Sequence, residues 1–158
     1  ALHPVPMDLA ALCRDVAEDM LPVAQEKGIR LDCAAPDACL FTGDPTFLNR
    51  LLVNLVANAV EYGHPDGYVH LVLQEGPDAV QLRVEDDGAG IPLEAQAHIF
   101  DRLYRADKSR RNEDGRHLGL GLSMVRWIAE AHGGSVHVES EPGRGSTFIV
   151  DLPREHST

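Results

Sequence analysis

Apolar residues recur every three to four positions in three segments of the chain, and at alternate positions in six shorter ones. The first spacing predicts amphipathic helices at about 8–27, 45–62 and 118–132. The second predicts strands at 29–34, 39–42, 68–74, 80–85, 135–140 and 147–152. Because one helix alternates with two strands, the expected fold class is α+β. We expect a two-layer sandwich in which a mostly antiparallel sheet packs against three helices.

Residues that start or stop helices sharpen these boundaries. Asp8 is expected to cap the first helix and Gly28 to end it, while Pro22 should kink or split it. Asp44 followed by Pro45 is typical of a helix start, since the carboxylate accepts backbone N–H groups and proline has none to lose. Short helical pieces are expected at 93–103, and a disordered tail at 154–158.

The second predicted helix carries an unusual polar stripe. Asn54, Asn58 and Tyr62 recur every four residues, so they lie one above the other beside the apolar face. An amide at that border costs free energy unless it is hydrogen-bonded, and a metal ion or a phosphate could satisfy it. A buried asparagine can instead bond the backbone, so one amide alone would leave the choice open. Two amides with an aromatic residue favour a ligand site.

Two glycine-rich segments are further candidates. The first, Asp86-Asp87-Gly88-Ala89-Gly90-Ile91-Pro92, is most simply a turn at a strand end. In a ligand site, Asp86 would accept a hydrogen bond from an exocyclic amine such as that of adenine, and Gly88 and Gly90 would let the backbone approach the base. The second, at 119–122, could serve packing alone, or it could present backbone N–H groups and a helix dipole to phosphate.

A long polar segment precedes the second glycine cluster. Residues 104–117 show no periodicity and contain several basic side chains, so we expect a mobile loop. A solvated surface loop is the simpler interpretation. A lid that closes over phosphates is the more specific one.

Composition narrows the possible ligands. The chain has 158 residues, 44% of them apolar, and a net charge of −11. This size suits a single domain at 1–158, and the negative charge argues against nucleic acid but not against a nucleotide held in a local pocket. Cys13, Cys33 and Cys39 lack metal-site spacing and are expected to be reduced thiols. There is no membrane-length apolar run, signal peptide, zinc motif or P-loop.

Five segments, in order, resemble the sequence boxes of two-component sensor histidine kinases and cover about 7–153. GDPTFLNRLLVNLVANAVEYG is similar to the asparagine box, and VEDDGAGIP to the first glycine box. IFDRLYRAD is similar to the phenylalanine box, and HLGLGLSMVRWIAEAHGG to the second glycine box. ESEPGRGSTFIVDLP resembles the closing hairpin. The resemblance implies the Bergerat fold of these kinases, with ATP and Mg²⁺ as ligands and 104–117 as the ATP lid.

The resemblance also assigns roles to residues. Asn58 would coordinate Mg²⁺ through its side-chain oxygen, and Asn54 would hold phosphate or metal-bound water. Tyr62 would stack on adenine, and Asp86 would bind its amine with help from Thr147 through water. Phe100 would anchor the lid. The remaining implied nucleotide contacts are Gly88, Gly90, Ile91, Tyr104, Arg105, Gly119, Leu120, Gly121 and Leu122.

Two positions bear on the reaction. Related ATPases that hydrolyse ATP place a glutamate where Asn54 stands, and an amide cannot act as a general base. Phosphoryl transfer to a protein nucleophile is therefore favoured over hydrolysis, with Asn54 and Arg105 as the catalytic residues. The family often has a basic residue at the position of Glu61, which would here repel the γ-phosphate.

The expected acceptor is absent, because no His-Glu pair followed by Thr-Pro occurs in the sequence. We therefore expect the catalytic part of a larger kinase, acting on its own phosphoacceptor hairpin and, downstream, on a response regulator. The isolated domain would be a monomer in the cytoplasm, and the whole protein a homodimer in the bacterial inner membrane. Two alternatives stay open. One is a degenerate regulatory module, and the other is an anti-sigma-factor serine kinase of the same fold.

Overall fold

The computed structural model describes residues 1–101 and 121–154. Four helices are present in these ranges: α1 (Leu9–Glu26), α2 (Pro45–Tyr62), α3 (Leu93–Gln96) and α4 (Gly121–Ala131). The strands are β1 (Val5–Asp8), β2 (Arg30–Ala34), β3 (Leu40–Gly43), β4 (Tyr68–Glu75), β5 (Ala79–Asp86), β6 (Ser135–Glu141) and β7 (Gly145–Pro153). None of the helices in the described ranges is both long and apolar enough to cross a membrane.

Five strands form the main sheet, in the order β2-β4-β5-β7-β6. Only β2 and β4 run parallel, and the other three pairings are antiparallel. Alternate residues of β5 are buried, so Val80, Leu82 and Val84 face the helices, while Gln81 and Arg83 lie on the other, polar face. The predicted α+β sandwich is therefore confirmed.

A second, two-stranded sheet joins the N-terminal segment to the front of α2. β1 pairs antiparallel with β3, so that Val5 lies opposite Gly43 and Asp8 opposite Leu40. The sequence did not reveal β1, because its four residues include Pro6 and are too short to show a period. The strand predicted at 39–42 exists as β3, but it belongs to this two-stranded sheet and not to the main sheet.

The split predicted at Pro22 and the disorder predicted at Arg154 are not found. Pro22 does not split α1, which continues from Leu9 to Glu26; the carbonyl that loses its partner belongs to Glu18, which is exposed and open to water. Arg154 is part of the fold and not of a disordered tail. Its guanidinium donates to the carbonyl oxygens of Gly76 (2.9 Å) and Leu40 (2.7 Å). Residues 155–158 lie outside the described ranges.

Asp44 fixes the start of α2. Its Oδ1 accepts the backbone N–H groups of Thr46 (3.0 Å) and Phe47 (3.2 Å), and its Oδ2 accepts that of His3 (2.8 Å). The pKa of the Asp44 carboxyl lies below its ordinary value. The hydrogen bond from the His3 N–H contributes most to this, and the two cap hydrogen bonds contribute less. One side chain thus positions both the helix that carries the polar stripe and the N-terminal segment.

We expect Asp44→Ala to lower the melting temperature at neutral pH by about 2–4 °C, the usual effect of a lost helix cap in a domain of this size. Because folding lowers the pKa, the carboxylate stabilises the protein above the ordinary value of 3.8, and this gain is lost as the pH falls through the folded value. The penalty of Asp44→Ala should therefore shrink in acid. Calorimetric melting across the acid range measures both effects.

Asp44→Asn is the matched control, since it keeps the Oδ1 cap and loses only the charge and the second acceptor. Its melting temperature should lie closer to that of the wild type. Equal destabilisation by alanine and asparagine, or an alanine penalty independent of pH, would contradict the capping role.

Candidate functional site

The polar stripe of α2 lies where the sequence places it. Asn54, Asn58 and Tyr62 are all half-buried, beside the fully buried Leu51, Leu55 and Ala59. The Nδ2 group of Asn54 donates to the carbonyl oxygen of Gly121 at 3.2 Å, which ties α2 to the first residue of α4. This contact brings the asparagine stripe and the described end of the second glycine cluster together.

Asp86, the last residue of β5, provides the buried charge of the site. Only 8% of its surface is exposed, and its Oδ1 accepts the backbone N–H of Gly88 at 2.8 Å. Burial raises the pKa of this carboxyl above its ordinary value, although hydrogen bonds from the Gly88 and Ser146 backbones act in the opposite direction. A carboxylate has about four acceptor positions, so these two donors leave room for another.

Gly88 is required by the way the turn packs on α2. A Cβ atom at this residue would lie 2.5 Å from the carbonyl oxygen of Tyr62 and 3.0 Å from Asp86 Oδ1. The neighbouring Ala89 N–H also points to the Tyr62 carbonyl, at 3.4 Å. The turn after β5 is therefore pressed against the C-terminal end of α2, which places Tyr62 next to the Asp86 turn.

Gly90 is required by the opposite side of the same turn. It has a φ of +76°, and a Cβ there would lie 2.1 Å from the carbonyl oxygen of Glu141. Gly143 N–H donates to the Ala89 carbonyl at 2.7 Å, and Ile91 N–H donates to Ser140 Oγ at 2.8 Å. Both glycines are therefore needed because other backbone segments of the protein lie close to them. The sequence pattern instead suggested the close approach of a nucleotide base as the reason for them.

Thr147 is not the residue directly opposite Asp86 in the sheet. In the β5–β7 register, Thr147 lies opposite Glu85 and Ser146 lies opposite Asp86. Because successive side chains of a strand point to opposite faces, Thr147 belongs to the polar face and Ser146 to the face of Asp86. Ser146 is buried, with its hydroxyl 2.9 Å from that of Ser140. The sequence could have indicated Ser146, because it lies two positions before the apolar Phe148 and alternate residues of a strand share a face.

The predicted lid, 104–117, lies outside the described residues, and only residues on either side of it are described. Before it, Phe100 is half-buried and contacts Phe148 edge-on, with ring centroids 6.0 Å apart. After it, Gly121 is exposed, no described atom lies within 4 Å of its Cβ position, and Leu122 is half-buried. The remaining predictions at the lid, Tyr104, Arg105, Gly119 and Leu120, fall outside the described residues.

A cation lies at the end of α2 where Glu61 replaces the expected basic residue. The ammonium group of Lys27 donates to the carbonyl oxygens of Val60, at 2.9 Å, and of Glu61. A positive charge at a helix C-terminus is favourable, because the last carbonyls lack intrahelical partners. The C-terminal end of α2 therefore holds a positive side chain, supplied from the residue after α1.

Comparison with known proteins agrees with this geometry. Residues 43–156 match the family model described as histidine kinase-, DNA gyrase B- and HSP90-like ATPase. The sensor histidine kinase YclK of Bacillus subtilis (strain 168) is 35% identical over 152 residues, which are 96% of this chain and 32% of YclK. The chain thus spans about a third of that relative.

Solved structures give the same picture. Full-length ShkA in complex with AMPPNP superposes with a TM-score of 0.86 at 31% identity, covering 100% of this chain and 33% of ShkA. The catalytic domain of the histidine kinase ThkA superposes with a TM-score of 0.81 at 25% identity, covering 96% of each chain. The chain therefore belongs to the family of histidine kinase-, DNA gyrase B- and HSP90-like ATPases, as the catalytic domain of a two-component sensor histidine kinase.

Proposed function

We propose that this domain binds Mg²⁺-ATP between α2, the turn after Asp86 and the start of α4, and that it transfers the γ-phosphoryl group to a histidine on a separate helical hairpin. The observation that carries the proposal is Asp86, a buried carboxylate with acceptor capacity beyond its two backbone donors. Burying a charge is unfavourable for folding, so its presence here favours a role in binding.

The base is the part of the ligand that Asp86 selects. Adenine carries an exocyclic amine, which donates hydrogen bonds, and a buried carboxylate accepts them. Ser146, which lies on the same face of the sheet as Asp86, takes the supporting role that the family resemblance gives to Thr147. Tyr62 ends the half-buried stripe of α2 beside this turn, where its ring would stack on the base.

Asn58 is the proposed metal ligand. Its side-chain oxygen is a hard donor at the border of the core, and Mg²⁺ takes few protein ligands while keeping several waters. The described residues contain no cluster of three or more histidine, cysteine or acidic side chains that could hold a metal. An amide ligand shared with the phosphates fits this setting. The ion would supply charge neutralisation at the transferred phosphoryl group.

The geometry of Asn54 favours transfer over hydrolysis. Its Nδ2 group is bound to the Gly121 carbonyl, so its side-chain oxygen is available to accept from phosphate-bound or metal-bound water. An amide cannot remove a proton from water, which leaves water poorly activated. The attacking group is then a histidine imidazole nitrogen, which forms the new P–N bond as the bond to the ADP oxygen breaks. Arg105 would neutralise charge on the phosphates.

The whole protein is proposed to be larger than this chain. Its relatives are named sensor kinases, and the chain matches about a third of YclK. We propose that the longer protein contributes the phosphoacceptor hairpin, forms a homodimer at the bacterial inner membrane with this domain in the cytoplasm, and passes the phosphoryl group to a response regulator. The isolated domain, 1–158, is proposed to be monomeric, with 104–117 as its ATP lid.

Asp86→Asn should weaken ATP binding without a large loss of stability. Gly88 N–H occupies the asparagine oxygen, so the amide turns its own N–H groups towards the adenine amine. ATP affinity should then fall at least about 10-fold, since an unsatisfied buried donor costs about 1–3 kcal/mol. Calorimetric titration with Mg²⁺-ATP measures this effect, and Asp151→Asn, on the polar face of β7, is the matched control.

The stability change follows from the sign of the pKa shift. Folding raises the pKa of Asp86, so its charged form disfavours the folded state at neutral pH, and this penalty fades as the pH falls through the folded value. Asp86→Asn removes the charge but also weakens the acceptor for one of the Gly88 and Ser146 N–H groups, so its melting temperature should stay within about 3 °C of the wild-type value. A variant that loses both stability and binding would indicate a structural role instead.

Asn58→Ala should abolish the dependence of ATP binding on Mg²⁺, because the proposed protein ligand of the ion is removed. Titrations with and without Mg²⁺ should then give the same affinity, whereas the wild type binds more tightly with the metal. Asn49→Ala, an exposed position on the same helix, is the control. A metal dependence like that of the wild type in Asn58→Ala would rule out this assignment.

The transfer itself is tested with radiolabelled ATP and the phosphoacceptor hairpin of the longer protein. We expect phosphate on the hairpin that is labile in acid and stable in alkali, as phosphohistidine is. Acid-stable phosphoserine would support the serine kinase alternative. A domain that binds Mg²⁺-ATP without transferring it would support the regulatory module.

A further inference from the structure

We propose that His132 is a positioning residue for nucleotide binding, because it fixes where α4 lies along α2. The inference rests on the proposed function, in which the Mg²⁺-ATP site lies between these two helices. It concerns the end of the helix pair that is remote from that site. His132 follows directly after α4, and none of its surface is exposed.

The hydrogen bonds of His132 define its protonation state. The backbone N–H of Asp44, which can only donate, is 3.0 Å from His132 Nε2, so Nε2 is an acceptor without a proton. Nδ1 then carries the proton and donates to the carbonyl oxygen of Ile128 at 2.9 Å. The imidazole is therefore neutral, in the Nδ1–H tautomer, and it connects the end of α4 to the cap of α2.

A second contact between the same helices joins the middle of α2 to the start of α4. Asn54 Nδ2 donates to the Gly121 carbonyl at 3.2 Å. On α2 this contact is ten residues, or about 15 Å, from Asp44, and on the other chain segment Gly121 and His132 are separated by a similar length. The two helices are thus antiparallel, and these two hydrogen bonds join them at the two ends of α4.

Phe47 and Trp127 pack between the two contacts, with ring centroids 5.3 Å apart. Close packing of this kind resists displacement of one helix along another. The hydrogen bond to Asp44 adds a directional contact, which a displacement of α4 by part of a turn would break. His132 therefore selects the alignment in which Gly121, at the exit of the lid, lies beside Asn54.

The consequence concerns a site that His132 does not touch. If loss of the bond leaves only about a tenth of the molecules correctly aligned, the apparent ATP dissociation constant rises about 10-fold. Asp44 connects this bond to the N-terminal segment as well, since its Oδ2 holds the His3 N–H at 2.8 Å. The alignment of α4 is in this way coupled to the segment around His3.

Two amide variants separate positioning from general stability. His132→Gln places an amide oxygen near the position of Nε2 and can still accept from Asp44 N–H, whereas His132→Asn is too short. We expect Mg²⁺-ATP to bind about 10-fold more weakly to His132→Asn and within about 2-fold of wild type to His132→Gln. The titrations are made well below the melting temperature of every variant.

Tryptophan emission gives an independent measurement. Trp127 is the single tryptophan of the chain, and it lies on α4 against Phe47 of α2. Its emission maximum should shift in His132→Asn and stay at the wild-type value in His132→Gln. Val80→Ala, a buried position at the far end of β5, is the control for destabilisation, and it should lower the melting temperature without changing affinity or emission.

The outcomes separate the two claims. Failure of the wild type to bind Mg²⁺-ATP would refute the proposed function, while the emission of the two amide variants would still test the alignment. Wild-type affinity and emission in a destabilised His132→Asn would overturn the positioning role. If that variant does not fold, His132→Met fills the space without a strong acceptor, and the same results are expected of it.

Discussion

The buried carboxylate of Asp86 is the constraint on which the arrangement of the site depends. A carboxylate that is almost completely buried at the end of β5 needs hydrogen-bond donors close to it. Backbone N–H groups in the turn through Gly88 and at the start of β7 provide them. Those segments can approach because the residues closest to Asp86, Gly88 and Gly145, lack side chains. A Cβ at Gly145, where φ is +98°, would lie 2.0 Å from the Asp86 carbonyl oxygen. Glycine in this site therefore allows the protein backbone to enclose an acidic group.

The close approach of the turn after Asp86 also joins the sheet to the helices. The turn after Asp86 contacts the C-terminal end of α2 through the Tyr62 carbonyl. The middle of α2 contacts the start of α4 through Asn54, and the N-terminal cap of α2 contacts the residue after α4 through Asp44. Helix α2 thus connects the buried carboxylate of Asp86, the proposed metal ligand Asn58 and the start of α4.

The sequence predicted α2 and its stripe because several signals agreed there: a capping aspartate, a following proline, and polar residues at a spacing of four. Its predictions were poorer where contacts between distant segments of the chain determine the structure. Strand β1 has no pattern of its own and exists because β3 pairs with it. The register between β5 and β7, which places Ser146 and not Thr147 opposite Asp86, is a property of the paired strands. The hydrogen bond between Asp44 and His132 joins residues 88 positions apart, and no local pattern predicts it.

The most direct test of the central claim is a calorimetric comparison of ATP with inosine triphosphate, which carries a carbonyl oxygen in place of the exocyclic amine of adenine. If the Asp86 carboxylate accepts a hydrogen bond from the adenine amine, inosine triphosphate places its carbonyl oxygen against that carboxylate instead. Two acceptors then face each other, and neither has a hydrogen-bond donor. ATP should then bind about 100-fold more tightly or better, as in sites built around a specific hydrogen bond. Equal affinities for the two nucleotides would contradict the account, because the buried carboxylate would then have no part in recognising the base.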